Sequence, residues 1–180
     1  MSYFMKIYYE KVLWDMYYYF SFKNIMMVPK MNKIVINSCF GKIFSDKKRI
    51  SLCYKDLNYL FFQKPKFVKS KKSISEFKLR KNEDISLKIT LRKKNMYNFF
   101  YKILNFYIYF IKNFQGFSVS SFDNFGNYNI GIKDYSLFPE FNQNSEGFYG
   151  FDISINFKNS NLYKSLKFLK FLNFPFKCLN

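Results

Sequence analysis

Strict alternation of apolar and polar residues in short segments is the feature that most constrains how this chain can fold. In residues 151–157, Phe, Ile, Ile and Phe alternate with Asp, Ser and Asn. Successive side chains of a β-strand point to opposite faces of a sheet, so this pattern predicts a strand with one buried face. Residues 33–37, 88–92 and 127–132 are predicted as further strands on the same grounds.

Segments with helical spacing separate these strands. Apolar residues recur at intervals of three or four in residues 4–19, 95–112 and 161–172, with charged residues largely opposite. Ser45 or Asp46 can cap another helix. In the last helix the predicted buried stripe is Leu162, Leu166, Leu169 and Leu172. Together these patterns predict an α+β fold, a mostly antiparallel sheet with helices packed on one face.

The length of 180 residues predicts a single domain over residues 1–180. Within it, an N-terminal helix and lead-in, residues 1–30, precede an α+β body, residues 31–180. Residues 97–111 are almost wholly apolar or aromatic, but they are too few to span a membrane and are interrupted by polar side chains. The N-terminal segment does not resemble a signal or transit peptide.

The net charge is +18, from 30 Lys and Arg against 12 Asp and Glu. A charge this large repels itself unless a polyanion neutralises it, which predicts nucleic acid as the partner, with an anionic membrane surface as the alternative. Residues 63–81 concentrate the charge, because Glu76 is their one acidic residue. A charge run can also be a merely solvated face. Its positive members are Lys64, Lys66, Lys69, Lys71, Lys72, Lys78, Arg80 and Lys81.

Phe and Tyr are abundant and Ala is absent, as translation of an AT-biased gene would give. Because that bias can fill any site with an aromatic residue, no single exposed aromatic side chain is assigned a stacking role. Such bias is common in organellar, parasite and symbiont genomes. It favours the mitochondrial matrix, with a plastid or an AT-rich bacterial cytoplasm as alternatives.

No arrangement of residues that usually carries catalysis stands out in the sequence. There is no His, and Cys39, Cys53 and Cys178 do not have metal-ligand spacing. No paired-carboxylate motif or Gly-rich phosphate loop is present. We therefore predict a protein that is not an enzyme, has no cofactor or metal, and keeps its thiols buried in a reducing compartment.

Three of the six Gly residues fall within residues 115–133, which predicts a shaped loop that runs into a strand. Polar residues around them, Ser121 and Asn127 among them, can present hydroxyls and amides outward. If the strands share one sheet, polar side chains also line its open face. These are Lys33, Asn37, Lys88, Thr90, Arg92, Ser154 and Asn156. Together with Lys64, Lys66, Lys71 and Lys72, they suit the recognition of folded RNA by shape.

Several motifs occur in series along nearly the whole chain: Val28-Pro29-Lys30, Gln63-Lys64-Pro65, Thr90-Leu91-Arg92, Ser121-Phe122-Asp123, Gly126-Asn127-Tyr128, Gly131-Ile132-Lys133 and Phe174-Pro175-Phe176. In order and spacing they resemble the bacterial-type ribosomal protein L-five family. The resemblance implies a protein of the central protuberance of the large subunit that binds 5S rRNA, adjacent large-subunit rRNA and neighbouring large-subunit proteins.

The same resemblance implies roles for individual residues. Asn37, Gln63 and Thr90 would lie at the RNA surface. A basic loop near residues 73–82 would reach the elbow of P-site tRNA and present Lys78, Arg80 and Lys81. The region after Pro139 would contact the small-subunit head protein S-thirteen.

Overall fold

The computed structural model describes residues 3–40, 47–133, 138, 140 and 150–177. Helix α1 joins α-helical Tyr3–Ile7, a π-helical turn Tyr8–Val12 and α-helical Leu13–Tyr19. Helix α2 is Lys47–Phe61, and helix α4 is Leu162–Phe171. Helix α3 joins α-helical Lys93–Lys102, a π-helical turn Ile103–Tyr107 and α-helical Ile108–Phe110. The strands are β1 Lys30–Cys39, β2 Lys66–Lys69, β3 Asp84–Leu91, β4 Tyr128–Ile132 and β5 Phe151–Lys158.

The described part of the chain contains four helices and a five-stranded antiparallel sheet, which confirm the predicted α+β class. The order of the strands in the sheet is β2-β3-β1-β5-β4. The chain divides into two compact units, the first formed by Met1–Ile34, Leu91–Ile130 and Ser154–Asn180 and the second by Val35–Thr90 and Gly131–Ile153. The single domain expected over residues 1–180 stays a prediction.

The core of the first unit is built by the apolar stripes of its helices. Val12 and Met16 of α1 and Phe100 and Ile103 of α3 are buried, as the helical spacing predicts. Tyr8 packs its ring 5.8 Å from that of Phe168 of α4. No helix in the described ranges is both long and apolar enough to cross a membrane.

The predicted leucine stripe of α4 is wrong at its start. Leu162 is 44% exposed and Leu166 only half-buried, whereas Ser165, Phe168 and Leu169 are buried. The large ring of Phe168 is buried in the core, so the buried face of α4 is centred on Ser165, Phe168 and Leu169. Leu166 lies at the edge of that face. Leu162 lies in the first turn, where the helix is still exposed.

The second unit contains a strand that the sequence pattern did not reveal. β2 lies inside the basic segment, and its own apolar residues are only Phe67 and Val68. The aromatic ring of Phe67 stacks on that of Tyr54, with the ring centroids 5.5 Å apart. β3 begins at Asp84, four residues earlier than predicted, and ends before Arg92, which precedes α3 as its N-cap. The prediction that Ser45 or Asp46 caps α2 lies outside the described residues.

The prediction of buried thiols holds for one of the two described cysteines. Cys53 is buried, and burial raises the pKa of its thiol to about 12. Cys39 is exposed, because it lies at the end of β1 on the face opposite the buried Ser38. Cys178 lies outside the described residues.

Candidate nucleic-acid interface

Two lysines face each other on neighbouring strands of the second unit. β2 pairs with β3 in antiparallel register, with Lys66 directly opposite Lys88, and both side chains are exposed. Directly opposite side chains in such a pair have Cβ atoms about 4.5–5.5 Å apart, and like charges there destabilise the sheet. This pair is therefore a site that a phosphate group would stabilise by neutralising both ammonium groups.

The basic loop between β2 and β3, residues 70–83, is an ordered hairpin. The Ser70 N–H donates to the Glu83 carbonyl at 2.8 Å, and the Asn82 N–H donates to the Ser70 carbonyl at 3.1 Å. Near the tip, Ile74 and Leu79 exchange two backbone hydrogen bonds of 2.9 and 3.1 Å. The loop backbone is thus fixed before any partner binds, which lowers the entropy lost on binding.

Side chains reinforce this hairpin from within. The Glu83 carboxylate accepts the Arg80 backbone N–H at 2.8 Å, and the Ser73 hydroxyl accepts the Lys81 backbone N–H at 3.0 Å. Lys78 adopts a left-handed conformation, φ +51°, at the tip. Every side chain in residues 71–78 is exposed. The three predicted tRNA-contacting residues, Lys78, Arg80 and Lys81, are therefore exposed on a common preformed support.

The residues that the resemblance assigned to the RNA surface in this unit are all accessible. Thr90 is half-buried on the same face of β3 as Lys88. Asn37 is half-buried, and its amide nitrogen donates to the Cys39 sulfur at 3.2 Å. Gln63 is half-buried in the turn between α2 and β2. Lys64, Lys71 and Lys72 are exposed.

The first unit carries the remaining predicted residues. Lys33 is half-buried on β1, and Arg92 is exposed before α3. On β5, Asn156 is half-buried, and the Ser154 hydroxyl donates to the Asn129 amide oxygen at 2.7 Å. These side chains are accessible, and their contact with RNA stays a prediction.

The glycine-rich loop of the first unit needs two of its glycines. Gly126 has φ +79°, and a Cβ there would lie 2.7 Å from the Asn161 carbonyl carbon. Gly116 has φ +99°, and its Cβ would lie 2.5 Å from the Lys177 backbone nitrogen. Gly131 has room, since its nearest neighbour would be 3.6 Å away. The predicted shaped loop is confirmed at the first two positions.

Asp123 organises the loop that precedes β4. One carboxylate oxygen accepts the backbone N–H groups of Phe125 at 3.0 Å and Asn127 at 2.7 Å, and the other accepts the Asn127 side-chain N–H at 2.7 Å. The Asn127 amide oxygen in turn accepts the Phe157 N–H at 3.3 Å. Asn127 therefore holds its own loop together, and RNA contacts from it and from the half-buried Ser121 stay predictions.

Sequence reasoning missed the lysine pair and two supporting side chains of the basic hairpin. Ser73 and Glu83 were not predicted as supports, although serines spaced along a lysine-rich run are a signal for local turns. The region after Pro139, predicted to contact S-thirteen, lies largely outside the described residues. Within the described part, no group of three or more metal-ligating side chains comes together.

Comparison of the sequence with known proteins shows the family to which the chain belongs. The chain matches the family model "Ribosomal protein L5" over residues 24–80 and the model for the C-terminus of the same ribosomal protein family over residues 84–176. It is 37% identical to the large ribosomal subunit protein uL5 of Blochmanniella floridana, over 96% of this chain and 92% of that protein. Identity is 42% to uL5 of Wigglesworthia glossinidia brevipalpis, over 88% and 89% of the two chains.

A protein named uL5c, from Cyanidium caldarium, is 36% identical over 95% of each chain. The two family models together match residues from both units, and each of the three relatives aligns with most of the chain. The chain belongs to the ribosomal protein L5 family and is a structural constituent of the large ribosomal subunit.

Proposed function

We propose that this chain binds 5S rRNA and the adjacent large-subunit rRNA in the central protuberance of the large subunit. Family membership makes it a structural protein rather than an enzyme, with rRNA and other large-subunit proteins as its partners. The observation that carries the finer proposal is the cross-strand pair of Lys66 and Lys88, which an RNA phosphate would neutralise.

The basic hairpin supports a second contact. Lys78, Arg80 and Lys81 lie on an ordered, exposed loop, which suits a structured RNA such as the elbow of P-site tRNA. The contact with the small-subunit head protein S-thirteen, through the region after Pro139, rests on the family resemblance. We also propose that the ribosome concerned is mitochondrial, which the AT-biased composition favours over a plastid or a bacterium.

Salt dependence of RNA affinity tests the proposal. With about six to eight phosphates engaged, log affinity should fall against log salt with a slope of about −4 to −7. Asn37→Ala and Thr90→Ala should each weaken binding to 5S or large-subunit rRNA by about 1–3 kcal/mol, since their hydrogen-bonding partners on the RNA become unpaired. Asn98→Ala, on an exposed position of α3, is the matched control.

An RNA affinity that does not change with salt, or that stays complete in both Asn37→Ala and Thr90→Ala, would contradict RNA binding by the surface that carries these two residues.

The competing hypothesis is a peripheral protein of an anionic membrane surface. Flotation with anionic liposomes after RNase treatment distinguishes the two, because a ribosomal protein should sediment with the large subunit and lose that association when its RNA is digested.

A further inference from the structure

Three lysines form a row along α4 in the first unit. Lys164, Lys167 and Lys170 are three residues apart, so each is a neighbour of the next on the helix surface, and the row extends over about 9 Å of the helix axis. α4 contains no acidic residue, and no carboxylate of the described residues forms an ion pair with any of the three. Like charges at this spacing destabilise a helix. The stability of the chain alone therefore does not account for the row.

Two of these lysines are held over aromatic rings. The Lys167 ammonium lies 4.6 Å from the ring centroid of Tyr19 and 5.9 Å from that of Tyr163. The Lys164 ammonium lies 5.1 Å from the ring centroid of Phe22. These distances are those of cation–π attraction. Both lysine side chains are half-buried, whereas the lysines of the basic hairpin are exposed, so the row is more than a solvated helix face.

The rings beneath Lys167 are themselves fixed. The hydroxyls of Tyr19 and Tyr163 are hydrogen-bonded to each other at 2.9 Å, which joins the end of α1 to α4. The Tyr19 ring packs edge-on against that of Phe171, with the centroids 6.1 Å apart, and the Tyr163 ring packs in the same way against Phe20 at 5.7 Å. The ammonium group therefore rests on a support that exists before any partner binds, which lowers the entropy lost on binding.

The same cluster offers hydrogen bonds as well as charge. Tyr19 and Tyr163 are 49% and 52% exposed, so a partner can reach their hydroxyls beside the lysines. One of the two hydroxyl hydrogens forms the bond between the tyrosines, which leaves the other to donate to a partner. Ammonium and hydroxyl donors of this kind are the groups that proteins use to bind phosphate oxygens.

We propose that the lysine row of α4, together with the hydroxyls of Tyr19 and Tyr163, binds the phosphate backbone of an rRNA strand. The ammonium groups cover the aromatic rings, so the contact is with phosphates and carries no base sequence. This inference rests on the proposed function. To the lysine pair and the basic hairpin of the second unit it adds a contact made by the first unit.

Removal of one charge from the row tests the inference in the full chain. Lys167→Gln should make the slope of log affinity for large-subunit rRNA against log salt less steep by about 0.7–0.9, as expected for one lost phosphate contact. Lys112→Gln removes an exposed lysine of the same unit and should leave the slope unchanged. Lys167→Arg keeps the charge and should keep the slope.

Removal of the support tests the role of the tyrosines. Tyr19→Leu keeps the net charge at +18 but deletes the ring beneath Lys167 and the hydrogen bond to Tyr163. The affinity for rRNA should fall about 2- to 12-fold, because the Lys167 side chain must then be ordered on binding. Thermal unfolding checks that this variant is folded. Tyr109→Leu, which removes an exposed tyrosine of α3, should leave the affinity unchanged.

Each outcome decides the inference. An unchanged salt slope in Lys167→Gln overturns it, and so does an unchanged affinity in folded Tyr19→Leu. A Lys167→Gln chain that binds rRNA normally but no longer enters large subunits also overturns it, since the row would then bind an acidic protein neighbour.

Lys66→Gln separates this inference from the proposed function. If Lys66→Gln makes the salt slope less steep while Lys167→Gln does not, the lysine row of α4 does not bind RNA and the proposed function stands. If neither variant changes the slope, both proposals fail.

Discussion

Replacing Lys88 by Gln should stabilise the free protein while weakening its binding to RNA. Lys88 lies directly opposite Lys66, so their Cβ atoms are about 4.5–5.5 Å apart. Long side chains can diverge from this spacing, and we take a separation of roughly 8 Å between the two ammonium groups for the charge calculation. Two unit charges at this separation repel by about 0.5 kcal/mol in water. The substitution removes this repulsion, so the free energy of unfolding should rise by about 0.2–1 kcal/mol at low salt.

The gain in stability should disappear as salt is added, because the Debye length is about 10 Å at 0.1 M and about 3 Å at 1 M. For a chain of this size, we expect a Tm about 1–3 °C higher at low salt and nearly equal values at high salt. Binding should change in the opposite direction. Loss of one phosphate contact makes the slope of log affinity against log salt less steep by about 0.7–0.9.

Thermal unfolding and rRNA titration, each over a range of salt, measure the two effects on the same variants. Lys66→Gln should behave like Lys88→Gln, and the double variant should gain little further stability, since either single change already removes the repulsion. Lys112→Gln, on an exposed lysine of the other unit, is the control. A lower Tm for Lys88→Gln at low salt, or an unchanged salt slope, would refute the reasoning.

Two further predictions concern the glycine-rich loop and the thiols. Gly126→Ala should lower the free energy of unfolding by about 2–4 kcal/mol in urea denaturation, because its Cβ combines positive φ with a backbone clash; Gly131→Ala should stay within about 1 kcal/mol. In a Cys178→Ser chain, Cys39 should react with a thiol reagent while Cys53 reacts only after unfolding. Equal reactivity of the two thiols in the folded chain would contradict this prediction. Burial raises the pKa of Cys53 from 9.0 to about 12 in the folded chain, so the stability that its neutral thiol contributes is complete below pH 9 and is lost as the pH rises toward 12.

Periodicity predicted the strands that have a complete buried face. β5 buries Phe151, Ile153 and Ile155, while Phe157 near its end, predicted on the same face, is only half-buried. Hydrophobic burial alone makes such an alternation visible in sequence. β2 escaped because it is an edge strand with lysines at both ends. Lysines protect an edge from further strand pairing, so the pattern that stabilises β2 as an edge also hides it among solvated residues.

The composition of the candidate site was predictable from the sequence, but its geometry was not. One-signed charge in residues 63–81 is visible without a structure, whereas the pairing of Lys66 with Lys88 depends on the register between two strands. That register is non-local and includes an irregularity between Val68 and Lys69. The network of Asp123 with Asn127 is different, because an Asx turn is local and its residue types already favour it.

The second unit concentrates arrangements that lower its stability in the absence of a partner. Lys66 and Lys88 repel each other, and a buried carboxylate oxygen of Asp84 has no hydrogen-bond partner among the described residues. Natural sequences otherwise agree with their folds at every level, and the exceptions gather at functional sites. An RNA phosphate relieves the first of these conflicts, because it neutralises both ammonium groups. Binding free energy therefore offsets strain that is already present in the free protein, and RNA should raise the Tm of the natural chain more than that of Lys88→Gln.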